Sequence, residues 1–258
     1  MDLQQEDKQL NKILSTLCSP AEAVFFDCDG TLSQIEGINY LAELRGVADE
    51  VSALTDQAMS QTGLSVDLYQ QRLSYVQPHQ QDLFQLAKAY YEYASEDVES
   101  VIAILQSLDI AVYVISAGNN PAVSKFSLQL NIPESHVLCV DLEFDVLGNY
   151  QSFDNTSPLV GEHGKASLIE QLRKEHGWSE VVLVGDGMND CQARHVVESF
   201  IGYGGNFYRN SVKDLSTFYS PHSSMSALLP LILSEEKVKL LSDQGAELYA
   251  KGARLLDS

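Results

Sequence analysis

The sequence predicts an α/β protein with a Rossmann-like parallel-sheet core, an inserted helical cap domain and a helical C-terminal extension. Three short β-branched runs, at 24–26, 112–115 and 181–184, are each followed by a small or acidic polar residue with a glycine nearby. Such runs are typical of buried parallel strands. Helical patterns separate them, which indicates βαβ alternation. The roughly 80 residues between the first two runs exceed what one crossover helix needs, so they predict the inserted cap.

Apolar residues at helical spacing predict at least three helices in the insertion, for example on Val51, Leu54 and Ala58, on Val66, Tyr69 and Leu73, and on Leu83, Leu86 and Tyr90. Further patterns at 98–108 and 168–172 precede the second and third strands, and Gly177 is a plausible helix stop. Segments 142–146 and 150–153 predict a hairpin, and Phe200 and Ile201 a final strand. The expected units are a core at 1–32 and 107–222, a cap with its linkers at 33–106, and an extension at 223–258.

The extension has no expected role in the chemistry. Its helical pattern begins at Ser224, and its apolar positions should pack either on the core or across a dimer. A homodimer is therefore one expectation for this chain.

Composition limits the classes of partner and the cellular location. Lys and Arg number 16 against 36 Asp and Glu, a formal charge of −20, which disfavours nucleic acid and anionic membranes as partners. The polar start, 1–10, does not resemble a signal peptide, and no run approaches the roughly 20 apolar residues of a membrane span. A cytoplasmic location fits the scattered cysteines, Cys18, Cys28, Cys139 and Cys191.

The first motif follows the first predicted strand and reads Asp27-Cys28-Asp29-Gly30-Thr31-Leu32. Ligands of open α/β sheets bind at this end of the strands. If the chain stays extended, Asp27 and Asp29 point to one side and repel each other unless a cation lies between them. A solvated turn after a strand explains the same string without any ligand.

Two motifs with hydroxyl or basic side chains follow. Ser116-Ala117-Gly118-Asn119-Asn120-Pro121 comes after the second strand and opens a helix, where a hydroxyl and free N–H groups suit a phosphate. Ordinary N-capping by Asn120 is the alternative. Lys165 begins a helix, where its charge opposes the helix dipole unless an anion binds there. The alternative is an exposed lysine, for which this cost is small enough to be tolerated.

The fourth motif, 185–190, follows the third strand and supplies Asp186 at its tip and Asp190 at the start of the next helix. A simple βα turn would use the same residue types. Four acidic, hydroxylated or basic motifs in order, each beside a strand end, are nevertheless hard to explain as unrelated turns.

Together these motifs resemble the four signatures of the haloacid dehalogenase superfamily. Within it, the chain resembles the phosphoserine phosphatases from about residue 21 to 219, through four narrower strings: Glu36-Gly37-Ile38, Met59 with Arg72, 130–133 and 200–206. The stretch 60–65 and Ala117 depart from the family pattern.

The resemblance implies a phosphatase that works through an aspartyl-phosphate intermediate. Asp27 would be the nucleophile and Asp29 the general acid and base, while Ser116 and Lys165 would hold phosphate oxygens. Mg²⁺ would be held by Asp27, the backbone carbonyl of Asp29, and Asp186. It is favoured over zinc because these ligands are hard oxygens.

The resemblance also implies a small phosphomonoester as substrate, namely L-phosphoserine in serine biosynthesis. Its remaining binding residues would be Glu36, Met59, Arg72, Ala117 and Asn189, and Asp190 would orient metal-bound waters or Lys165. Phosphoethanolamine, phosphocholine or a phosphorylated vitamin are alternative substrates. A catalytically silent binding protein on the same fold is a further alternative.

Overall fold

The computed structural model of the protein describes residues 20–57 and 64–258. The predicted substrate residue Met59, the helix position Ala58, Cys18 and the polar start of the chain lie outside the described residues. In the described part, seven strands form one sheet in the order β4-β3-β2-β1-β5-β6-β7. Their bounds are β1 (Ala23–Phe26), β2 (Ala111–Asn120), β3 (Val137–Phe144), β4 (Tyr150–Phe153), β5 (Val181–Gly185), β6 (Ser199–Tyr203) and β7 (Phe218–Ser220).

The same residues form twelve α-helices beside several short 3₁₀ turns. In chain order the helices are α1 (Gly37–Arg45), α2 (Ala48–Gln57), α3 (Val66–Val76), α4 (Gln80–Glu92), α5 (Val98–Ser107), α6 (Ala122–Gln129), α7 (Gly164–His176), α8 (Met188–Ala193), α9 (Asn210–Leu215), α10 (Leu229–Ile232), α11 (Glu235–Val238) and α12 (Asp243–Leu256). None of these helices combines the length and apolarity that a membrane span requires.

The sheet is parallel except where β3 and β4 form an antiparallel hairpin. At its centre, all four residues of β1 have no exposed surface, as expected for a strand covered on both faces. The predicted α/β fold with a parallel sheet is therefore confirmed. The predicted hairpin is also present, although its first strand begins earlier, at Val137, and joins the main sheet beside β2.

Helices α1–α4 lie in the chain between β1 and β2, where the cap was predicted. Local capping explains their ends: Ser65 Oγ accepts a hydrogen bond from the Leu68 N–H at the start of α3, and Gly46 adopts a left-handed conformation after α1. The apolar face of α4, which carries Leu83 and Tyr90, packs into the main hydrophobic cluster of the sheet. The boundaries proposed for the separate units remain a prediction.

The C-terminal segment packs on the core of the same chain. Leu228 and Ile232 are fully buried in the main cluster, and Leu248 of α12 packs against it. A Cβ at Gly252 would lie 2.0 Å from the Ser226 carbonyl oxygen, which shows how closely α12 approaches. Lys251 Nζ lies 2.7 Å from both Glu96 Oε1 and Asp97 Oδ2, in the segment that returns from the insertion.

Two predictions about the strands were wrong: which strand is the last, and where the second strand ends. The strand at 199–203 is not the last, because β7 follows it and pairs with it in parallel; three residues are too few to give a periodic signal. The second strand does not stop before Ser116 but continues to Asn120, with a register shift against β3 between Ile115 and Asn119. Asn120 caps no helix either, since its amide donates to Asp141 Oδ1. Gly177 ends α7 in a left-handed conformation, as predicted.

Candidate active site

The site is built around the turn that follows β1. Asp27 is buried, and its Oδ1 accepts a hydrogen bond from the Cys28 N–H at 2.7 Å. Gly30 follows with φ of 68°, and a Cβ there would lie 2.4 Å from Asp186 Oδ2. The glycine of the first motif is therefore needed twice, for its left-handed backbone and for the close approach of the neighbouring carboxylate.

Three buried carboxylates meet at the carboxyl ends of β1 and β5. Oxygens of Asp27, Asp186 and Asp190 lie within 4.8 Å of one another. Thr31 Oγ1 donates a hydrogen bond to Asp186 Oδ1 at 3.1 Å, which fixes one member of the group. A cluster of hard oxygen donors at this spacing suits a divalent cation such as Mg²⁺.

Lys165 lies beside this cluster, at the start of α7. Its Nζ lies 3.0 Å from Asp27 Oδ2 and 2.6 Å from Asp190 Oδ1, and its side chain is buried. Burial alone would lower the pKa of Lys165, but the charges of Asp190 and Asp27 raise it above its ordinary value. The ammonium therefore stays charged and offsets part of the repulsion among the carboxylates.

The carboxyl groups themselves bind protons more readily than free carboxyls do. Burial raises the pKa of Asp27 well above its usual value, although Lys165 acts in the opposite direction. Burial also raises the pKa of Asp186 to about 6, against the lowering effect of Arg209. Both shifts follow from placing several negative charges in a space that excludes water.

Arg209 is a site residue that the sequence analysis missed. Its Nη1 pairs with Asp186 Oδ2, and its Nη2 lies 3.2 Å from Glu36 Oε1, so it joins two predicted site residues. It follows β6 and the glycine-rich run at 202–205. Its place in the sequence could have identified it. Basic residues are few in this acidic chain, so a basic residue that follows a predicted strand is a candidate for the site.

Ser116 and Asp29 face each other across the mouth of the turn. Ser116 Oγ donates to Asp29 Oδ2 at 3.3 Å and accepts from the Gly118 N–H at 2.9 Å. The Ala117 carbonyl accepts a hydrogen bond from the Tyr69 hydroxyl of α3 at 3.1 Å, so the predicted binding residue Ala117 contacts the inserted helices.

A cavity that opens to solvent lies between the strand ends and the inserted helices. Five of the predicted residues form its floor and sides at the sheet: Asp27, Asp29, Ser116, Lys165 and Asp190. Glu36, Arg72, Ala117 and Asn189, also predicted, line it too. Asn189 reaches across it, since its Oδ1 accepts a hydrogen bond from the Leu64 N–H at 2.7 Å.

Glu36 and Arg72 bring an acidic and a basic side chain to this cavity. Burial, with the charges of Asp186 and Asp29, raises the pKa of Glu36 to about 8. Arg72 has only 7% of its surface exposed, yet its Nε has no hydrogen-bond partner among the described residues. Arg72 also forms no ion pair with a described carboxylate, while its guanidinium lies 5.8 Å from the centre of the Tyr69 ring.

Comparisons with known proteins agree with this architecture. The family model for haloacid dehalogenase-like hydrolases matches residues 24–194. This chain belongs to that family. It is 34% identical over 209 residues to phosphoserine phosphatase from Bos taurus, which covers 81% of this chain and 92% of the relative. The human phosphoserine phosphatase is 32% identical over 206 residues, 80% of this chain and 92% of the relative. The chain is thus a phosphatase similar to the phosphoserine phosphatases.

Solved structures show the same fold at lower sequence identity. A substrate-bound phosphoserine phosphatase complex superposes with a TM-score of 0.73 at 22% identity, covering 83% of this chain and 99% of that one. The unliganded structure of a probable phosphoserine phosphatase from Vibrio cholerae gives 0.71 at 20% identity, covering 94% and 76%.

The ion pairs of Arg209 give a testable expectation. Arg209→Met should lower the free energy of unfolding by about 3–5 kcal/mol, because it leaves a buried carboxylate without its cation. Urea unfolding measures this loss. Arg45→Met is the matched control: Arg45 lies 3.7 Å from Asp82 with 42% of its side chain exposed, so its loss should cost less than about 1 kcal/mol. Similar costs for the two variants would contradict the structural role of Arg209.

Proposed function

We propose that this protein hydrolyses L-phosphoserine through an aspartyl-phosphate intermediate on Asp27, with Mg²⁺ as cofactor. The observation that carries the proposal is Arg72, a buried guanidinium without a carboxylate partner in the described structure, in the same cavity as Glu36 and Asp27. A cation held in this way is suited to an anionic group of a ligand, because its desolvation is otherwise uncompensated.

The chemistry of phosphoserine fits that arrangement. Besides its phosphate the substrate carries one ammonium and one carboxylate, and the cavity offers Glu36 for the first and Arg72 for the second. Arginine can bind a carboxylate through two parallel hydrogen bonds. The predicted contact of Met59 with the aliphatic part of the substrate stays a prediction. Names of related proteins point to the same substrate.

Asp27 is the proposed nucleophile. Its carboxylate oxygen forms a bond to phosphorus while the bond from phosphorus to the serine oxygen breaks, which leaves an acyl phosphate on Asp27. Lys165, 3.0 Å from Asp27 Oδ2, favours the ionised form that attacks. A water molecule then attacks the phosphorus, the bond from phosphorus to Asp27 breaks, and inorganic phosphate leaves.

Asp29 is the proposed general acid and base. It gives its proton to the departing serine oxygen in the first half of the reaction and takes one from the attacking water in the second. The Ser116 hydroxyl and the Lys165 ammonium would hold the other phosphate oxygens, where negative charge concentrates. The hydrogen bond between Ser116 and Asp29, at 3.3 Å, supports placing both beside the same phosphate.

The buried carboxylates fit a Mg²⁺ ion because they supply hard oxygens at close spacing. Asp27, Asp186 and the backbone carbonyl of Asp29 would hold it, and Asp190 would support the site through Lys165. When bound, Mg²⁺ supplies positive charge that offsets the repulsion between the carboxylates and the substrate phosphate.

Three further attributes go with this proposal. A serine-forming step of amino-acid biosynthesis follows from the substrate, and a cytoplasmic location follows from the pattern of scattered cysteines. The tail packs on its own core and so gives no support to the homodimer, which stays a prediction.

The covalent step is tested by Asp27→Asn. The amide is nearly isosteric with the carboxylate but a poor nucleophile, so phosphoserine turnover should fall by more than about a thousandfold. Release of inorganic phosphate measures turnover, and circular dichroism checks that the variant is folded. Trapped wild-type enzyme should carry one phosphoryl group on the peptide that contains Asp27. Phosphorylation elsewhere would rule out this mechanism.

Removal of the metal should also be informative. Turnover should vanish in chelator and return with Mg²⁺, whereas Ca²⁺, which takes more ligands at longer distances, should inhibit. Without substrate, Mg²⁺ at a hundred times its Kd should raise the free energy of unfolding by about 2.7 kcal/mol. This stabilisation should be lost in Asp186→Asn. Full activity in chelator would exclude the metal from the reaction.

Substrate choice is tested by Arg72→Ala. On phosphoserine, kcat/KM should fall by a factor that corresponds to about 2–5 kcal/mol, because the substrate carboxylate loses its partner. An aryl phosphate, which has no carboxylate, should be affected little. Arg45→Ala, an exposed arginine on α1, is the control. Loss of equal size on both esters would show that Arg72 is structural, and a panel of small phosphomonoesters would then identify the substrate.

A further inference from the structure

The carboxylate of Asp29 is held by the inserted helices as well as by the sheet. Its Oδ1 accepts a hydrogen bond from the Tyr90 hydroxyl of α4 at 2.7 Å and another from the Gly37 N–H at the start of α1. Its Oδ2 accepts from Ser116 Oγ at 3.3 Å, a longer contact on the side of the cavity. The two oxygens of one carboxylate are therefore in different environments.

The position of Tyr90 is fixed by packing. The residue is fully buried, and its ring stacks on Phe126 of α6 with the ring centres 5.6 Å apart. Burial, followed by the negative charge of Asp29, raises the pKa of Tyr90 well above its ordinary value. The geometry makes the hydroxyl a donor to Asp29 Oδ1, so Tyr90 acts on that carboxylate.

The backbone around this contact is also adapted to it. A Cβ at Gly37 would lie 2.1 Å from the Tyr90 hydroxyl oxygen and 2.9 Å from Asp29 Oδ1. A larger residue would therefore displace the phenol or the carboxylate. Glycine at this position lets two donors converge on a single carboxylate oxygen.

We propose that Tyr90 is a positioning residue for the proton transfers of Asp29, an inference that rests on the proposed role of Asp29 as acid and base. With Oδ1 occupied by two donors, Oδ2 is the oxygen that exchanges protons. The proton on Oδ2 passes to the serine oxygen as its bond to phosphorus breaks. Oδ2 then takes a proton from water as the water oxygen bonds to phosphorus and the bond between phosphorus and the Asp27 oxygen breaks.

If Tyr90 positions Asp29, the effect of removing its hydroxyl should depend on the leaving group of the substrate. Without the phenol, the carboxylate can rotate, and a misplaced proton donor slows a reaction by up to about a hundredfold. The loss of kcat/KM should be large for an alkyl ester such as phosphoserine, whose leaving oxygen needs a proton. It should be small for p-nitrophenyl phosphate, whose leaving group departs as a stable anion.

The test is Tyr90→Phe, which removes only the hydroxyl. For phosphoserine, kcat/KM should fall about 10- to 100-fold, while for p-nitrophenyl phosphate it should change less than about threefold. Because hydrolysis of the phosphoenzyme still needs Asp29, kcat for the aryl ester should fall, with a burst of nitrophenol. The matched control is Tyr203→Phe, which also removes a buried hydroxyl, bonded to the Ser223 carbonyl at 2.6 Å, and should change neither substrate's kcat/KM.

Asp29→Asn and the double variant complete the experiment. In the Asp29→Asn background, Tyr90→Phe should change the residual phosphoserine kcat/KM by less than about twofold, since a residue that acts through Asp29 has nothing left to position. If Asp29→Asn keeps full turnover, the proposed acid and base is wrong, and the inference fails with it. If Asp29→Asn loses turnover but Tyr90→Phe keeps its kcat/KM for phosphoserine, or lowers kcat/KM equally for both esters, only the inference about Tyr90 is overturned.

Discussion

The structure depends on holding several negative charges together in a space that excludes most water. Five carboxyl groups converge at the carboxyl ends of the strands, and three cations accompany them among the described residues, a formal deficit of two charges: Asp27, Asp29, Glu36, Asp186 and Asp190 against Arg72, Lys165 and Arg209. Two of the cations bridge pairs of carboxylates, which offsets repulsion that would otherwise oppose folding. The deficit equals the charge of one divalent cation, so the site has a balanced charge only with such an ion or with bound protons.

The order of the strands explains how distant residues reach this site. β1 pairs in parallel with β2 on one side and β5 on the other, and Phe26 is in register with both Val114 and Val184. The residues that come next along the three strands therefore lie side by side. Glycine permits their close contact, since a Cβ at Gly185 would lie 2.1 Å from the Asp190 carboxyl carbon. The motifs thus need both their polar side chains and their glycines.

Sequence patterns identified what depends on short stretches of chain. The central strands, the start of α7 at Lys165 and the acidic ends of β1 and β5 follow from local periodicity and turn chemistry. The contacts of Arg209 and Tyr90 depend instead on tertiary structure: Tyr90 is 61 residues from its partner Asp29 and fits the apolar face of a helix equally well. Periodicity predicts that its ring is in the core but does not predict which residue its hydroxyl contacts.

The connection between the sheet and the inserted helices links the site to the rest of the chain. Asn206 Nδ2 donates to the Gly30 carbonyl at 3.1 Å and to Ser95 Oγ at 2.8 Å, so one amide contacts both the turn after β1 and the returning linker. Ser95 Oγ in turn donates to the Thr31 carbonyl at 2.6 Å. The next residue, Glu96, accepts a hydrogen bond at its carbonyl from the N–H of Met225 at 2.9 Å.

The C-terminal segment therefore bears on the site although it contributes no side chain to the lining of the cavity that the structure describes. Its backbone pairs with the linker at Glu96, and Lys251 of α12 forms ion pairs with Glu96 and Asp97 on that linker. The exposed ion pairs alone would contribute little, whereas the buried packing of Leu228 and the neighbouring apolar residues anchors the segment. Tyr90 lies on α4, which leads directly into this linker, so one short stretch of chain connects the anchored C-terminal segment to a donor of Asp29.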